Sequence, residues 1–238
     1  MSTSIKFCNL EFKGLSKSDI FKVSEKQMIQ IVTVGAEFII EAQKNLRLKE
    51  IINKNISTFD GQLPYLIARY KNKNTHFEKI SGADFIYDTC NYAKQNNKRI
   101  FLLGGYPDSN AMSLEKMTKM GIEANGLVTG FIPYPFPPDR NEKIIETIIK
   151  FKPHYIFVAL GILKQEYWIE ENWTTLEKAG VEIAIGCGGT LEVFSNKIKR
   201  APKWVQSLCM EGFYRFLKEP NFNRFRRFAK TFQFLKYV

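Results

Sequence analysis

Asp60 closes the apolar run Ile-Ser-Thr-Phe and is followed by Gly61, so a strand would deliver its carboxylate to a loop. A carboxylate there can accept a proton from a substrate hydroxyl within hydrogen-bond reach; an Asp-Gly turn is the other use of the same pair. Thr33 ends a second apolar run and offers a hydroxyl, either to a ligand or as a cap for a helix opening near Ala36, with Glu37 helping. In Ala-Leu-Gly-Ile-Leu-Lys-Gln-Glu, from Ala159 to Glu166, Gln165 can hydrogen-bond a sugar or base and Lys164 can face a phosphate. Alternatively, Glu166 and Glu170 complement the positive end of a helix. Gly104-Gly105 and Gly186-Cys187-Gly188-Gly189 allow positive φ and close approach of backbone to a ligand. Each glycine alone reads as turn chemistry; together, at successive strand ends, they point to a nucleotide or phosphate site.

Other chemistries lack their residues. His76 and His154 are the only histidines, and neither has a carboxylate at ligand spacing, which leaves His-based metal sites and Ser-His-Asp catalysis unsupported. The cysteines, Cys8, Cys90, Cys187 and Cys209, form no C-x-x-C and fit reduced, buried thiols. There is no D-x-D pair to seat a metal on a diphosphate. Neither G-x-G-x-x-G nor the P-loop pattern occurs. No bound cofactor and no metal are expected.

The elements that must position these residues follow from periodicity. Strands are expected at Met28–Thr33, Ile56–Phe59, Arg99–Leu103, Gly126–Phe131, Tyr155–Leu160 and Glu182–Ile185, with another near Ile5–Cys8. Between them lie helical patterns at Ala36–Leu46, Gln62–Tyr70, Ala83–Gln95, Ser109–Met120, Arg140–Lys150 and Gln165–Lys178. Strand–helix alternation with apolar strands predicts an α/β, Rossmann-like fold: a mostly parallel sheet covered by helices on both faces. Ligands of such sheets bind beyond the carboxyl ends of the strands, where the residues above cluster. The expected division is an α/β catalytic domain over 1–194 and a basic, aromatic-rich helical appendage over 195–238.

That appendage carries eleven Lys/Arg against two Glu, in a chain of net charge +11. At about 100° per residue, Phe222, Phe225, Phe228, Ala229, Phe232 and Leu235 share one arc. Arg224, Arg226, Arg227 and Lys230 lie opposite, the pattern of a membrane-surface or partner-binding helix; docking of the Phe face onto the body is the alternative. No apolar run approaches the roughly 18 residues of a membrane-spanning helix, and the first 30 residues contain no signal-peptide core. A cytoplasmic protein is expected.

In these segments the sequence resembles the WecG/TagA/CpsF family of bacterial glycosyltransferases. The family's T-x-N-x-E matches Thr33 to Glu37, its D-G matches Asp60-Gly61, and its L-L-G-G matches Leu102 to Gly105. G-x-P-x-Q-E matches Gly161 to Glu166, G-x-G-G…R-A-P matches Gly186 to Pro202, and E-W-x-Y-R-L…E-P is similar to Glu211 to Pro220. The resemblance implies a metal-independent, inverting transferase moving an N-acetylmannosamine-like hexose from a UDP-sugar to a polyprenyl-diphosphate-linked acceptor. It implies Asp60 as general base, Thr33 as a pocket hydroxyl and Gln165 as a pocket amide. Gly35, Gly104, Gly105, Gly188 and Glu192 would line the substrate pocket, and Arg200, Arg215 and Arg224 would come from an appendage that closes over the site. That appendage would rest on the inner face of the cytoplasmic membrane, with homo-oligomer formation left open.

The departures are specific. Gly35 replaces the family's Asn, Leu163 its Pro, Glu192 its Asp, Asn196 a Gly and Gly212 its Trp. They read as an altered donor preference rather than lost activity, since Asp60, Thr33, Gln165 and Arg215 remain. The rival class is a non-catalytic basic protein docking on nucleic acid or an anionic membrane through its tail. No recognised nucleic-acid motif accompanies the charge, so nucleic acid is not an expected partner.

Overall fold

A computed structural model describes residues 4–14, 16–202, 204–205, 214 and 231–238. Six strands form one sheet in the order β4-β3-β8-β7-β5-β6: β3 Ile29–Val34, β4 Ile56–Phe59, β5 Ile100–Gly104, β6 Ala124–Leu127, β7 Tyr155–Ala159 and β8 Ile183–Gly186. The β3–β8, β8–β7, β7–β5 and β5–β6 pairs are parallel, and helices flank the sheet, the Rossmann-like α/β arrangement expected. Chain contacts divide the molecule into two compact units. One comprises 1–19, 33–81 and 199–238; the other comprises 20–32 and 82–198.

In the second unit the strands are continuous apolar runs because both faces are covered. Phe101, Leu103, Ile156, Val158 and Ala184 join one cluster with Ile144 and Ile148 of α7 (Pro138–Phe151), Trp168 and Ile169 of α8 (Lys164–Glu171) and Leu176 of α9 (Trp173–Lys178). The alternate strand residues turn the other way, as the pleat requires. Elsewhere in the unit α10 (Thr190–Phe194) packs with α5 (Gly82–Gln95) and α6 (Pro107–Lys119). Expected helix 165–178 breaks at Asn172, whose side-chain amide donates to the Trp168 carbonyl and whose Oδ1 accepts from Asn141. A side chain that competes for helix backbone ends the run. The strand expected at Gly126–Phe131 instead occupies Ala124–Leu127, at the sheet edge; after Leu127 the chain leaves the sheet.

In the first unit, β1 (Ile5–Phe7) and β2 (Leu10–Phe12) make a separate antiparallel hairpin. Its two-residue turn is Cys8-Asn9, both at positive φ, as a twist-matched hairpin turn needs. The helix expected at 36–46 stops at Ala42, and α3 (Leu46–Lys54) starts afresh because the Asn45 side chain accepts from Leu48 N at 3.0 Å. The remaining helices of this unit are α2 (Ala36–Ala42) and α4 (Gln62–Lys71), while α1 (Lys17–Ser24) runs from it into the second. Phe59 ties this unit together, stacked on Phe12 at 3.9 Å and in contact with Phe7 and Phe77.

Most of the expected appendage, with Arg215, Arg224, Phe222, Phe225 and Phe228, lies outside the described residues. Its final segment, Phe232–Tyr237, is a 3₁₀ helix that packs near α2. A three-residue period replaces the 3.6-residue one there, and the expected arc changes accordingly. Phe232 and Leu235 are exposed, while Phe234 is fully buried beside Phe7. Replacing Phe234 with Ala should cost about 3 kcal/mol in urea unfolding, against less than about 1 kcal/mol for Phe232→Ala or Leu235→Ala. Equal costs at the three positions would contradict this docking.

Candidate active site

In the first unit, the end of β3 and the end of β4 are stitched together, with Asp60 N donating to Val34 O at 3.0 Å. Thr33 sits one residue before that bond and Asp60 forms it, both half-buried. The next connection runs to the segment after β4's neighbour: Ile80 N donates to Phe59 O, and the Thr58 hydroxyl donates to Ile80 O. Ser81, the following residue, receives the Arg200 guanidinium at 3.5 Å. Backbone hydrogen bonds thus link the Val34, Asp60 and Ile80 segments, and Arg200 reaches the Ser81 side chain beside them.

Gly35 is not held to glycine by its backbone. It lies at φ −92° and ψ −178°, a conformation open to any residue, and a Cβ there would meet only Asp60 O at 3.4 Å. Neither backbone geometry nor crowding demands glycine.

In the second unit the ends of β5, β7 and β8 interlock. Gly105 N donates to Ala159 O, and a Cβ on Gly104 would lie 2.6 Å from that same carbonyl. Gly104 and Gly105 both occupy positive φ. The turn after β7 then rises through Gly161 to Leu163, whose φ of 68° and ψ of −49° are strained for a bulky side chain. A proline ring fixes φ near −65°, so the proline of the resembled pattern does not fit this turn as built.

Gln165 and Glu166 follow, both buried in the first turn of α8. Gln165 Nε2 donates to Glu166 Oε1 at 2.8 Å, and Gln165 Oε1 accepts from Gly188 N at 3.1 Å. The amide expected to meet a sugar is thus also a strut holding the β8–α10 loop. A Cβ on Gly186 would collide with Glu166 Oε1 and come within 2.6 Å of Gln165 Nε2, so only glycine fits beneath the pair. Glu166 was missed as a functional residue, although its place three after the cap position is where a Glu reaches back to first-turn N–H groups. Gln30, buried in β3 with its Nε2 3.4 Å from Glu166 O, was also missed; a Gln inside an otherwise apolar strand was the signal.

Burial pushes the Glu166 carboxyl up to about 7, against hydrogen bonding from Gln165 and from the backbone of Glu166 and Leu163, which favours its charged form. Glu166 does stand in the first turn of α8, as its reading as a complement to the helix end has it, and it is buried there. Cys187 lies in the same loop, its thiol pushed far up by burial and by the Glu192 and Glu166 carboxylates, so it is no nucleophile at neutral pH. Lys164 does not stand open for a phosphate either. Its ammonium donates to Ile132 O at 2.8 Å and lies over the Phe131 ring. Glu192 is half-buried at the start of α10, and no three His, Cys, Asp or Glu side chains among the described residues could hold a metal ion.

Glu166 makes stability depend on pH with a definite sign. Between about pH 4.5 and about 7 the folded chain keeps this proton and the unfolded chain loses it. The folded state binds more protons, so this contribution is present below about 4.5 and is lost as pH rises through about 7, to the extent of about 3 kcal/mol. Glu166→Gln, uncharged throughout, should remove that loss. Urea unfolding of both proteins at about pH 5 and about pH 8 checks it; an identical pH dependence in the variant would contradict the assignment.

Two groups of strand-end residues thus offer, in one unit, a carboxylate with a hydroxyl and a guanidinium, and in the other, glycine turns braced by a buried amide–carboxyl couple. A comparison with protein families matches residues 4–238, essentially the whole described chain, to the model of the "Glycosyl transferase WecG/TagA/CpsF family". The chain belongs to the WecG/TagA/CpsF family of glycosyltransferases, which act in cell-surface polysaccharide synthesis.

Proposed function

We propose that this chain is an inverting, metal-independent glycosyltransferase. It moves an N-acetylmannosamine-like or related hexose from a UDP-sugar to a polyprenyl-diphosphate-linked acceptor at the inner membrane face. The observation that carries the reading is Asp60, placed at a strand end and bonded through its own N–H to the neighbouring strand end beside Thr33. Asp60 takes the proton of the acceptor hydroxyl as that oxygen attacks the anomeric carbon. The bond from that carbon to the diphosphate oxygen breaks, and UDP leaves with the electron pair. Thr33 orients the reacting sugar. Arg200, with Arg215 and Arg224, balances charge on the departing diphosphate, and the glycine turns at Gly104-Gly105 and Gly188 let backbone approach the donor. Glu192 and Gln165 shape the sugar pocket.

Among the described residues no helix is long and apolar enough to cross a membrane; contact with the bilayer is assigned to the cationic, aromatic tail. The absence of an amide at Gly35 selects a donor different from that of chains with Asn there.

Asp60→Asn should lower the turnover rate, read as UDP release with a polyprenyl-diphosphate acceptor, by about 10²- to 10⁴-fold at unchanged thermal stability. Undiminished transfer would remove Asp60 from the base role. Gly35→Asn is accommodated by the backbone, so it should fold normally. Across a panel of UDP-sugars it should change the ratio of kcat/KM values by about tenfold or more; an unaltered ranking would show that position 35 does not read the donor.

A further inference from the structure

The loop between β6 and α7 carries no charged residue from Ala124 through Pro138, and its middle reads Val-Thr-Gly-Phe-Ile-Pro-Tyr-Pro-Phe-Pro-Pro. Its apolar side chains are unusually bare: Phe131 is 79% exposed, Tyr134 43% and Val128 37%, and Ile162 on the neighbouring turn is 41% exposed. Isolated exposed apolar residues are ordinary, whereas a grouped and uncharged set marks a contact surface.

This exposure is built in. Ile132 is buried in the core cluster, which directs its neighbour Phe131 outward. Arg140 donates to the carbonyls of Thr129 and Phe131, and Lys164 donates to that of Ile132. The Tyr134 ring packs on Phe136 and Tyr167, and its hydroxyl donates to Glu171 at 2.9 Å. Four prolines stiffen the segment further. A loop held at so many points cannot fold its aromatic tip back onto the protein.

We propose that the Phe131 loop is a membrane-contacting wedge, inserting Phe131, Val128 and Ile162 into the interface of an anionic bilayer, separately from the C-terminal tail. Three features select a bilayer over a folded partner. The tip mixes exposed aliphatic and aromatic groups with Tyr134, a side chain suited to the headgroup boundary. Two cations adjoin it, Arg140 bonded to the Thr129 and Phe131 carbonyls and Lys164 with its ammonium over the Phe131 ring, and their charge draws the loop towards an anionic surface. The carboxylate in contact with the loop, Glu171, is held at the Tyr134 hydroxyl and not at the tip. The loop also leaves the carboxyl end of β6, the end of the parallel strands at which the Gly104-Gly105 and Gly188 turns of the same unit lie, so a lipid-linked acceptor would reach those turns from that side. This last point rests on the glycosyltransferase reading; the wedge itself does not.

The test uses the full chain with phosphatidylglycerol vesicles. Trp168 is buried, Trp173 half-buried and Trp204 exposed, so Phe131→Trp is made together with Trp204→Phe and read against Trp204→Phe alone, whose emission comes from Trp168 and Trp173. The emission that Phe131→Trp adds should be quenched by vesicles brominated on the acyl chains. Phe131→Ser should weaken sedimentation with phosphatidylglycerol vesicles by about tenfold, the loss expected from one uninserted Phe, while transfer to a short-chain, water-soluble acceptor stays unchanged. Unquenched emission from vesicle-bound protein would overturn the proposal, as would wild-type vesicle binding by Phe131→Ser. Loss of transfer to the soluble acceptor at unchanged vesicle binding would overturn it too, making the loop a substrate surface. Absence of transfer by the wild-type chain would count against the glycosyltransferase reading alone, because quenching reports insertion without catalysis.

Discussion

Glu166 is a carboxyl group without access to water, and the geometry of the second unit's strand ends hangs on how it is satisfied. It accepts from Gln165, which in turn accepts from Gly188, so the first turn of α8 and the loop after β8 share one hydrogen-bonded chain. Leaving any member of such a chain unpaired costs more than the chain gains per bond. The couple therefore dictates its surroundings: glycine at 186, a left-handed turn at Leu163, and an amide at 165 that can reach only in one orientation. Because the carboxyl is pushed up to about 7, its protonation state changes close to neutrality.

The first unit solves a different problem with the same device of strand ends. A general base must be placed without being buried, since a desolvated carboxylate holds its proton too tightly to start ionised. Asp60, proposed as that base, is half-buried, carried by the fully buried β4 residues before it and tied to β3 by its backbone N–H. Phe59, stacked among Phe12, Phe7 and Phe77, makes that strand end rigid. Aromatic packing directly behind a reacting residue is an economical way to hold it to the fraction of an ångström that positioning demands.

The parallel strands were legible in the sequence because doubly covered strands must be apolar throughout, as in Ile100–Gly104 and Tyr155–Ala159. Asp60, Thr33 and the glycine turns were legible for a related reason: ligand chemistry in such sheets concentrates at strand ends. What escaped depended on side chains redirecting backbone. Asn172 cuts a helical pattern that periodicity had joined, and Asn45 opens α3, a helix that was not expected. The Cys8-Asn9 turn lacks the glycine that usually announces a hairpin. Phe131 looked like the end of a strand, but Ile132 is what enters the core. The place of Glu166 at a helix start was legible, but its burial was not, because charge is visible in a sequence and burial is not.

In the proposed mechanism Asp60 serves as the base of one direct displacement, without a covalent glycosyl intermediate. Direct displacement inverts the anomeric centre. The most direct measurement is proton NMR of the first-formed product from an α-linked UDP-sugar, recorded before any equilibration. The account predicts a β-linked product from the outset; an α-linked product would contradict a single displacement with Asp60 as base.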